Sequence, residues 1–552
     1  MHRFIRKIQL DWRTVVAATL TVLAFPPYDL RFLIFVSLVP WFAALDRTRN
    51  WKQAAVQGLW FSILMSIGGF HWVAYVLKTF AVVPWPVAIV GLLLYSLIGQ
   101  PQFTLFAPLQ RRLLLRFSGS KTASPFLVLQ LGFLGALAYC GLDWLLPKLF
   151  VDTLGHSLYS APWLRQFADI GGAWSLTFAI YLLNETLWGF WKFYRTRDEP
   201  SAWPVVSRLK YQIGFVITLF VAITIYGVKR QGEILELMRT PERTVNFGVI
   251  QANIGDIDKI AAESGYRSAA TKVLNTYYGL SEKALALTPR PDVIVWPETS
   301  YPSTFRSPST AAELALDQEL EAFVRRHATP LLFGGYDRSG GKDFNAFFFL
   351  RPSGDRGLSG KDDLEIYRKY ILLPFGEFIP FAEHIQWVRE TFPQVGYFGR
   401  GPGPSLHKVL DFNVSPVICY EALFSDFVSE AARKGSRLIL NITNDSWFGR
   451  WGEPQLHLAL SAFRSIESRL PQLRSTNTGI SGLILPDGTI TFPSALFEPQ
   501  ILNLAVPLIR PTPTVLTRYG DWFPKFALFI GWIGVFAVSC LNFRQSRSRS
   551  SP

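Results

Sequence analysis

Cysteine is scarce in this 552-residue chain, with Cys140, Cys419 and Cys540 the only three. Cys140 and Cys540 fall inside long apolar runs, so Cys419 has no partner for an internal disulfide. No CxxC and no paired-histidine spacing of metal-site type occurs, and no glycine-rich phosphate loop follows a strand-like run. Gly334-Gly335 and Gly340-Gly341 read as turns. There is no internal repeat, and the single low-complexity stretch is the tail Arg544-Gln545-Ser546-Arg547-Ser548-Arg549-Ser550. Acidic residues are also in short supply, 41 against 55 Lys and Arg, for a formal charge of +14. A nucleic-acid-binding chain would gather those cations into one patch, whereas here each cluster borders an apolar run. The residues therefore imply no metal, no cofactor and no nucleic-acid partner.

What the chain has in abundance is apolar surface. Hydrophobic residues make up 49% and aromatics 15%, with a mean hydropathy of +0.21, more than one soluble core would use. The runs occupy the first 230 residues and the last 30, near 12–25, 33–45, 54–77, 82–109, 123–146, 167–190, 211–228 and 522–543. Six are long enough to cross about 30 Å of hydrocarbon. The first two are short and form either two spans or a re-entrant hairpin. Between them and the last run, residues 231–510 alternate polar and apolar as soluble strands and helices do. This divides the chain into a membrane domain, 1–230, a folded domain, 231–510, and a final helix with a basic tail, 511–552.

Orientation follows from the cations. Residues 1–13, 46–52, 111–121, 192–210 and 544–552 hold 19 Lys and Arg against 4 Asp and Glu, while the loops between them are nearly neutral. The positive-inside rule places both termini in the cytoplasm and residues 231–510 on the far side. The N-terminus lacks a small-residue cleavage site and reads as an uncleaved first segment. Within the runs, Asp169, Glu185 and His71 are either part of a polar path or structural; Asp169 and Glu185 are expected near segment ends, and His71 as a packing or capping residue.

Three β-like runs in the far-side domain end on reactive side chains. Asp292-Val293-Ile294-Val295-Trp296-Pro297-Glu298 ends on a carboxylate. Tyr367 to Glu377 carries Lys369 and a second carboxylate eight residues later. Val417-Ile418-Cys419-Tyr420-Glu421 delivers the lone cysteine, and a strand, Arg437 to Asp445, follows after a helix-length gap. An ordinary thiol is mostly protonated at neutral pH, so a nucleophilic cysteine needs a base or a positive field beside it; a glutamate and a lysine supply one of each.

Trp296-Pro297-Glu298, the Lys369 to Glu377 block and Cys419-Tyr420-Glu421 resemble the three catalytic motifs of the nitrilase, or carbon-nitrogen hydrolase, superfamily, whose fold is an α-β-β-α sandwich. With membrane segments on both sides, the arrangement is similar to the bacterial apolipoprotein N-acyltransferases. Further matches are Phe25 to Leu30, Gly69 to Val73, Pro84-Trp85-Pro86, Thr443 to Gly449, Arg474 to Gly479 and Arg518 to Trp522. The resemblance implies a polytopic α-helical membrane domain joined to an α/β nitrilase-like domain in the bacterial inner membrane. It implies Glu298 as general base, Lys369 as oxyanion partner and Cys419 as nucleophile, with Glu377, Tyr420 and Glu421 supporting. It also implies a phospholipid acyl donor and, as acceptor, the N-terminal diacylglyceryl-cysteine of an apolipoprotein. Trp387, Phe398, Trp447, Phe448 and Trp451 are either lid or core. The family's Phe-Pro-Trp pattern is missing from Pro147 to His156, so acceptor identity stays open. A membrane-tethered amidase, an acyltransferase for another amine and a transporter with a binding domain remain as alternatives.

Overall fold

A computed structural model describes residues 10–79, 81, 83–115, 125–196, 203–352, 363–379, 387, 390 and 397–548. Parts of the cationic clusters at 1–13, 111–121, 192–210 and 544–552 lie outside them. The chain forms two compact units, one holding residues 1–78, 83–231 and 521–552, the other 79–82 and 232–520.

The first unit is helical: α1 (Trp12–Ala24), α2 (Val39–Asp46), α3 (Trp51–Gly69), α4 (Trp72–Thr79), α5 (Trp85–Ser96), α6 (Pro101–Leu114), α7 (Pro125–Leu145), α8 (Ala168–Thr196), α9 (Trp203–Arg239) and the C-terminal helix Trp522–Ser548. Among the described residues, three stretches, Trp85–Leu114, Phe126–Leu145 and Leu209–Arg239, are long and apolar enough to cross a membrane; α3 and α4, bent by 61° at their junction, make a fourth if they are one span. That is fewer than the six expected. α8 loses helical geometry at Gly171 and Gly172, which interrupts its apolar run.

Short helices in an apolar setting leave backbone groups that only the protein can satisfy. Asn184 does this for the break between α1 and α2: its Nδ2 donates to the Ile34 carbonyl at 2.9 Å and its Oδ1 accepts from the Leu38 N–H at 2.9 Å. Glu185, expected near a segment end, is fully buried within α8. There it accepts from Gln110 Nε2 at 3.1 Å and Gln212 Nε2 at 3.5 Å, tying α6, α8 and α9 together. Asp169 accepts from Tyr226 at 2.7 Å and Arg230 at 2.9 Å. His71 stands exposed at the break before α4, with Nδ1 3.2 Å from the Gly68 carbonyl.

The second unit contains two six-stranded sheets. The first takes β1 (Arg243–Gln251), β2 (Val293–Val295), β3 (Leu331–Ser339), β4 (Lys342–Leu350) and β5 (Leu364–Arg368), in the order β12-β1-β2-β3-β4-β5. The second takes β6 (His407–Val409), β7 (Phe412–Ile418), β8 (Leu438–Thr443), β9 (Gln472–Thr476), β10 (Gly482–Ile484) and β11 (Ile490–Thr491), in descending order; β12 is Gln500–Leu508. β1-β2-β3 and β7-β8-β9 pair in parallel, the remaining neighbours antiparallel.

Alternation along the strands builds the layers. Phe347 and Phe349 of β4 join Val414, Leu438 and Leu440 in a core between the sheets. Ala346, Phe348 and Leu350 face the other way, with residues of α11 (Arg267–Leu285) and α12 (Ala311–His327), which together with α10 (Asp256–Glu263) lie in order before β3. Across the second sheet, α13 (Ser425–Arg433) buries Phe427 and Val428, and α14 (Glu453–Ser468) packs Leu458 and Ala462 on Ile484. The result is an α-β-β-α sandwich. Of the two glycine pairs, only Gly340-Gly341 is a turn, with φ of 58° and 73° in a two-residue hairpin between β3 and β4. Gly334-Gly335 lies inside β3, because a Cβ at Gly334 would stand 2.6 Å from the Glu298 Cα.

Candidate active site

Glu298 is placed by the way β2 ends. Trp296 points into the helix-side core and donates from Nε1 to Ser281 Oγ at 2.8 Å, while the Gly334 N–H donates to the Pro297 carbonyl at 3.1 Å. The chain is thus held flat against β3 as it turns out of the sheet. Lys369 is the first residue beyond β5; its N–H donates to the Asn345 carbonyl at 2.9 Å, and its own carbonyl accepts from Gly401 at 2.8 Å. Glu377 returns to the same corner, its Oε2 accepting from the Leu373 N–H at 2.8 Å.

These three side chains form one cluster. Lys369 Nζ lies 3.2 Å from Glu298 Oε1 and 2.9 Å from Glu377 Oε1. Asn345 Nδ2 donates to the same two oxygens, 2.8 Å from each. The Lys369 side chain is 1% exposed, so burial alone would strip its charge; the Glu298 and Glu377 carboxylates outweigh burial and hold its pKa above the ordinary lysine value.

Cys419 follows β7 in the left-handed region, with φ of 50°. The adjoining turn, Cys419–Leu423, carries Glu421 back under the strand end. Glu421 Oε1 accepts from Tyr367 Oη at 2.7 Å and from the N–H groups of Tyr370 and Ile371 at 2.7 and 3.1 Å. Its Oε2 accepts from the Ile418 N–H at 2.8 Å. One buried carboxylate therefore staples the residue before the cysteine to the residues after the lysine. Burial pushes the Glu421 pKa up to about 7, against the pull of those donors and of Lys369.

Burial, then the charge of Glu298, raises the Cys419 thiol well above its ordinary pKa; Lys369 pulls it down, Asp445 adds to the rise, and the Thr443 hydroxyl hydrogen-bonds the thiol. The resting sulfur is therefore a thiol, and nucleophilic chemistry at it needs proton removal during attack. The sequence-predicted residues thus come together: Glu298, Lys369 and Glu377 share hydrogen bonds, the thiol feels Glu298 and Lys369, and Glu421 braces both strand ends. Tyr420 is buried, edge-on to Phe424 at 5.2 Å. Among the aromatics suggested as lid, Trp387 and Trp451 are 65% and 68% exposed, Phe448 is buried, and Phe398 stacks on Tyr336 at 5.6 Å.

Sequence reasoning missed Asn345, the amide shared by both carboxylates. Its signal was a lone polar residue opening the run Ala346-Phe347-Phe348-Phe349-Leu350. It also left Thr443 and His457 without roles. His457 Nε2 is 3.2 Å from the Cys419 carbonyl oxygen.

Comparison with known proteins agrees with this architecture. Residues 248–512 match the carbon-nitrogen hydrolase family, which is the class that the sandwich and the buried cysteine define. Residues 17–186 match the apolipoprotein N-acyltransferase N-terminal domain. The chain is 29% identical to apolipoprotein N-acyltransferase of Bdellovibrio bacteriovorus, over 99% of this chain and 97% of that one. It is 29% identical to the Geobacter metallireducens protein of that name, over 96% and 95% of the two chains. With apolipoprotein N-acyltransferase 2 of Treponema pallidum it shares 30% identity over 70% of each. The chain belongs to the apolipoprotein N-acyltransferase family. Among solved structures, the NitN amidase of a Nesterenkonia species aligns with 14% identity and a TM-score of 0.35, covering 52% of this chain and 99% of that one.

Proposed function

We propose that this protein is an apolipoprotein N-acyltransferase of the bacterial inner membrane, with both termini cytoplasmic and the nitrilase-like domain, residues 231–510, on the periplasmic or extracytoplasmic side. Residues 1–230 and 511–552 hold it in the bilayer, where a phospholipid donor and a lipidated acceptor both reside. The observation that carries the mechanism is the shared use of Oε1: Lys369 and Asn345 both bond Glu298 at Oε1. Oε2 is the oxygen left to take a proton.

In the first half-reaction, Glu298 Oε2 accepts the Cys419 proton as Sγ attacks a phospholipid ester carbonyl. The Lys369 ammonium stabilises the oxyanion, a donor contribution typically worth about 3 kcal/mol. The intermediate collapses, the C–O bond breaks, Glu298 returns the proton to the departing alkoxide, and a lysophospholipid leaves Cys419 as a thioester. In the second, the α-amino group of the diacylglyceryl-cysteine attacks the thioester. Glu298 takes the amine proton and returns it to the sulfur as the C–S bond breaks, giving an amide. Glu377 orients Lys369, Glu421 and Tyr420 shape the nucleophile's turn, and no cofactor enters.

The test is lysophospholipid release against time, with and without a diacylated lipopeptide. N-acyl transfer predicts one equivalent per enzyme in the absence of the amine and continued turnover in its presence. Steady release at the same rate in both would replace transfer with hydrolysis.

A further inference from the structure

Behind the nucleophile lies a second polar cluster that this mechanism leaves unused. Asp445, Glu453, His457 and Arg474 are each at most 1% exposed. His457 Nε2 is 3.2 Å from the Cys419 carbonyl oxygen, and since a carbonyl only accepts, Nε2 carries a proton. Across the ring, Nδ1 is 3.3 Å from Glu453 Oε1, 3.4 Å from Asp445 Oδ1 and 3.3 Å from Arg474 Nη2. The guanidinium is itself fixed: Nη1 donates to Asn441 Oδ1 at 2.6 Å, Nη2 to Asp445 Oδ2 at 3.1 Å and Nε to the Ile480 carbonyl at 3.2 Å. From Asp445 the network continues to Thr443, whose Oγ1 donates to Asp445 Oδ1 at 3.1 Å. The cluster therefore reaches Cys419 at its carbonyl.

Asp445, Glu453 and His457 hold metal-type ligand atoms within 4.8 Å of one another. The Arg474 guanidinium already sits against two of the three and supplies the positive charge that an ion would bring. The cluster is better explained by what it holds. A non-glycine residue in the left-handed region persists only where its surroundings over-determine it. Glu421 pins the chain one residue before Cys419, and His457 pins the carbonyl after it.

We propose that His457 is a positioning residue for acyl transfer: held by Asp445, Glu453 and Arg474, its Nε2–H fixes the Cys419 carbonyl and so aims the sulfur at the ester carbon. This rests on Cys419 as the nucleophile. A displacement of about 1 Å at a reacting atom can cost about 100-fold in rate. Glutamine at 457 keeps a side-chain N–H able to donate to the carbonyl, and methionine is of similar size without the donor.

The experiment is single-turnover acyl loading of the full-length protein in phospholipid vesicles, read by the mass of the Cys419 peptide at a series of phospholipid concentrations. His457→Met should load about 100-fold more slowly at saturation, with unchanged half-saturation, at a temperature where the variant is fully folded. His457→Gln should recover to within about tenfold of wild type. Loading of His457→Met within about threefold of wild type would overturn the proposal, as would equal impairment of the two variants. If the methionine variant does not fold, the glutamine variant decides: within tenfold supports the proposal, and a 100-fold loss in folded protein refutes it. Stoichiometric divalent metal in the purified protein, lost in His457→Gln, would also refute it. Absence of acyl on Cys419 in the wild type would instead sink the nucleophile, which separates that failure from this one.

Discussion

Replacing Lys369 by methionine tests the central cluster most sharply. The Glu298 and Glu377 side chains are 7% and 12% exposed, and the ammonium between them is the cation that both share. Without it, two buried carboxylates are bridged only by Asn345 Nδ2. Removing one partner of a buried ion pair costs about 3–5 kcal/mol. Like charges sharing a site respond by keeping a proton, so the pair's pKa in the folded variant rises above the unfolded carboxylate value near about 4.3. Between those two values the folded state binds more protons than the unfolded one, and its stability falls as pH rises. In the wild type the Lys369 pKa is raised, so its charge persists across that range and cannot supply the same slope. The melting-temperature deficit of Lys369→Met should therefore be smallest near pH 5, widen toward pH 8, and reach about 10 °C for a unit of this size. Tryptophan-fluorescence melts of both proteins in detergent, from pH 5 to 8, measure it. A gap that does not change with pH, or no gap at all, would show that the cluster is not electrostatically coupled in this way. Acyl loading should drop by at least about 100-fold at every pH.

Further outcomes follow from individual contacts. Cys419→Ala should abolish hydroxylamine-labile acyl capture and turnover, while Cys140→Ala and Cys540→Ala keep both; residual labelling of the Cys419 variant, read by mass spectrometry, would misplace the nucleophile. Gly334→Ala should yield folded protein with loading reduced by at least about tenfold, because the added methyl displaces Glu298, a shift of the kind that costs up to about 100-fold per ångström. Glu421→Gln puts an amide N–H against donors at Ile418, Tyr367, Tyr370 or Ile371, which should destabilise the protein by about 1–3 kcal/mol in a denaturation midpoint and slow loading. Asn184→Leu, which strands the Ile34 carbonyl and Leu38 N–H in the helical unit, should cost a similar amount, about 1–3 kcal/mol, seen as lower yield and melting temperature; a neutral outcome would mean that this break finds another partner.

Two of the strand ends were legible in the sequence because the chemical residue terminates an apolar run, Glu298 beyond Val295 and Cys419 beyond Ile418, whereas Lys369 showed only through its spacing to Glu377. The two later motifs were visible as strings but not as partners. Only folding brings Arg474 at β9 against Asp445 beyond β8, and Asn477 Nδ2 to within 3.3 Å of Asn444 Oδ1. Gly334-Gly335 was misread because glycine marks a close backbone approach as often as a turn, and the approaching segment is distant in sequence. Glu185 was misread for a related reason: hydropathy sees one helix at a time, while the amides that hold this carboxylate are on two others. Asn345 carries no signature beyond its place where β4 becomes buried.

The proposed reactive groups come from both halves of the sandwich, Glu298 and Lys369 from strand ends of one sheet, Cys419 from a strand end of the other. The inter-sheet side chains, Phe347, Phe349, Leu438 and Leu440 among them, thus act as gauge blocks that set the gap across which sulfur and base must meet. A slip of one residue along a strand is about 3.3 Å, and proton transfer tolerates only a small fraction of that. Mild changes of volume in this layer should accordingly detune the reaction well before they melt the domain, so that natural or engineered drift in its apolar packing becomes a means of grading activity without touching any polar residue.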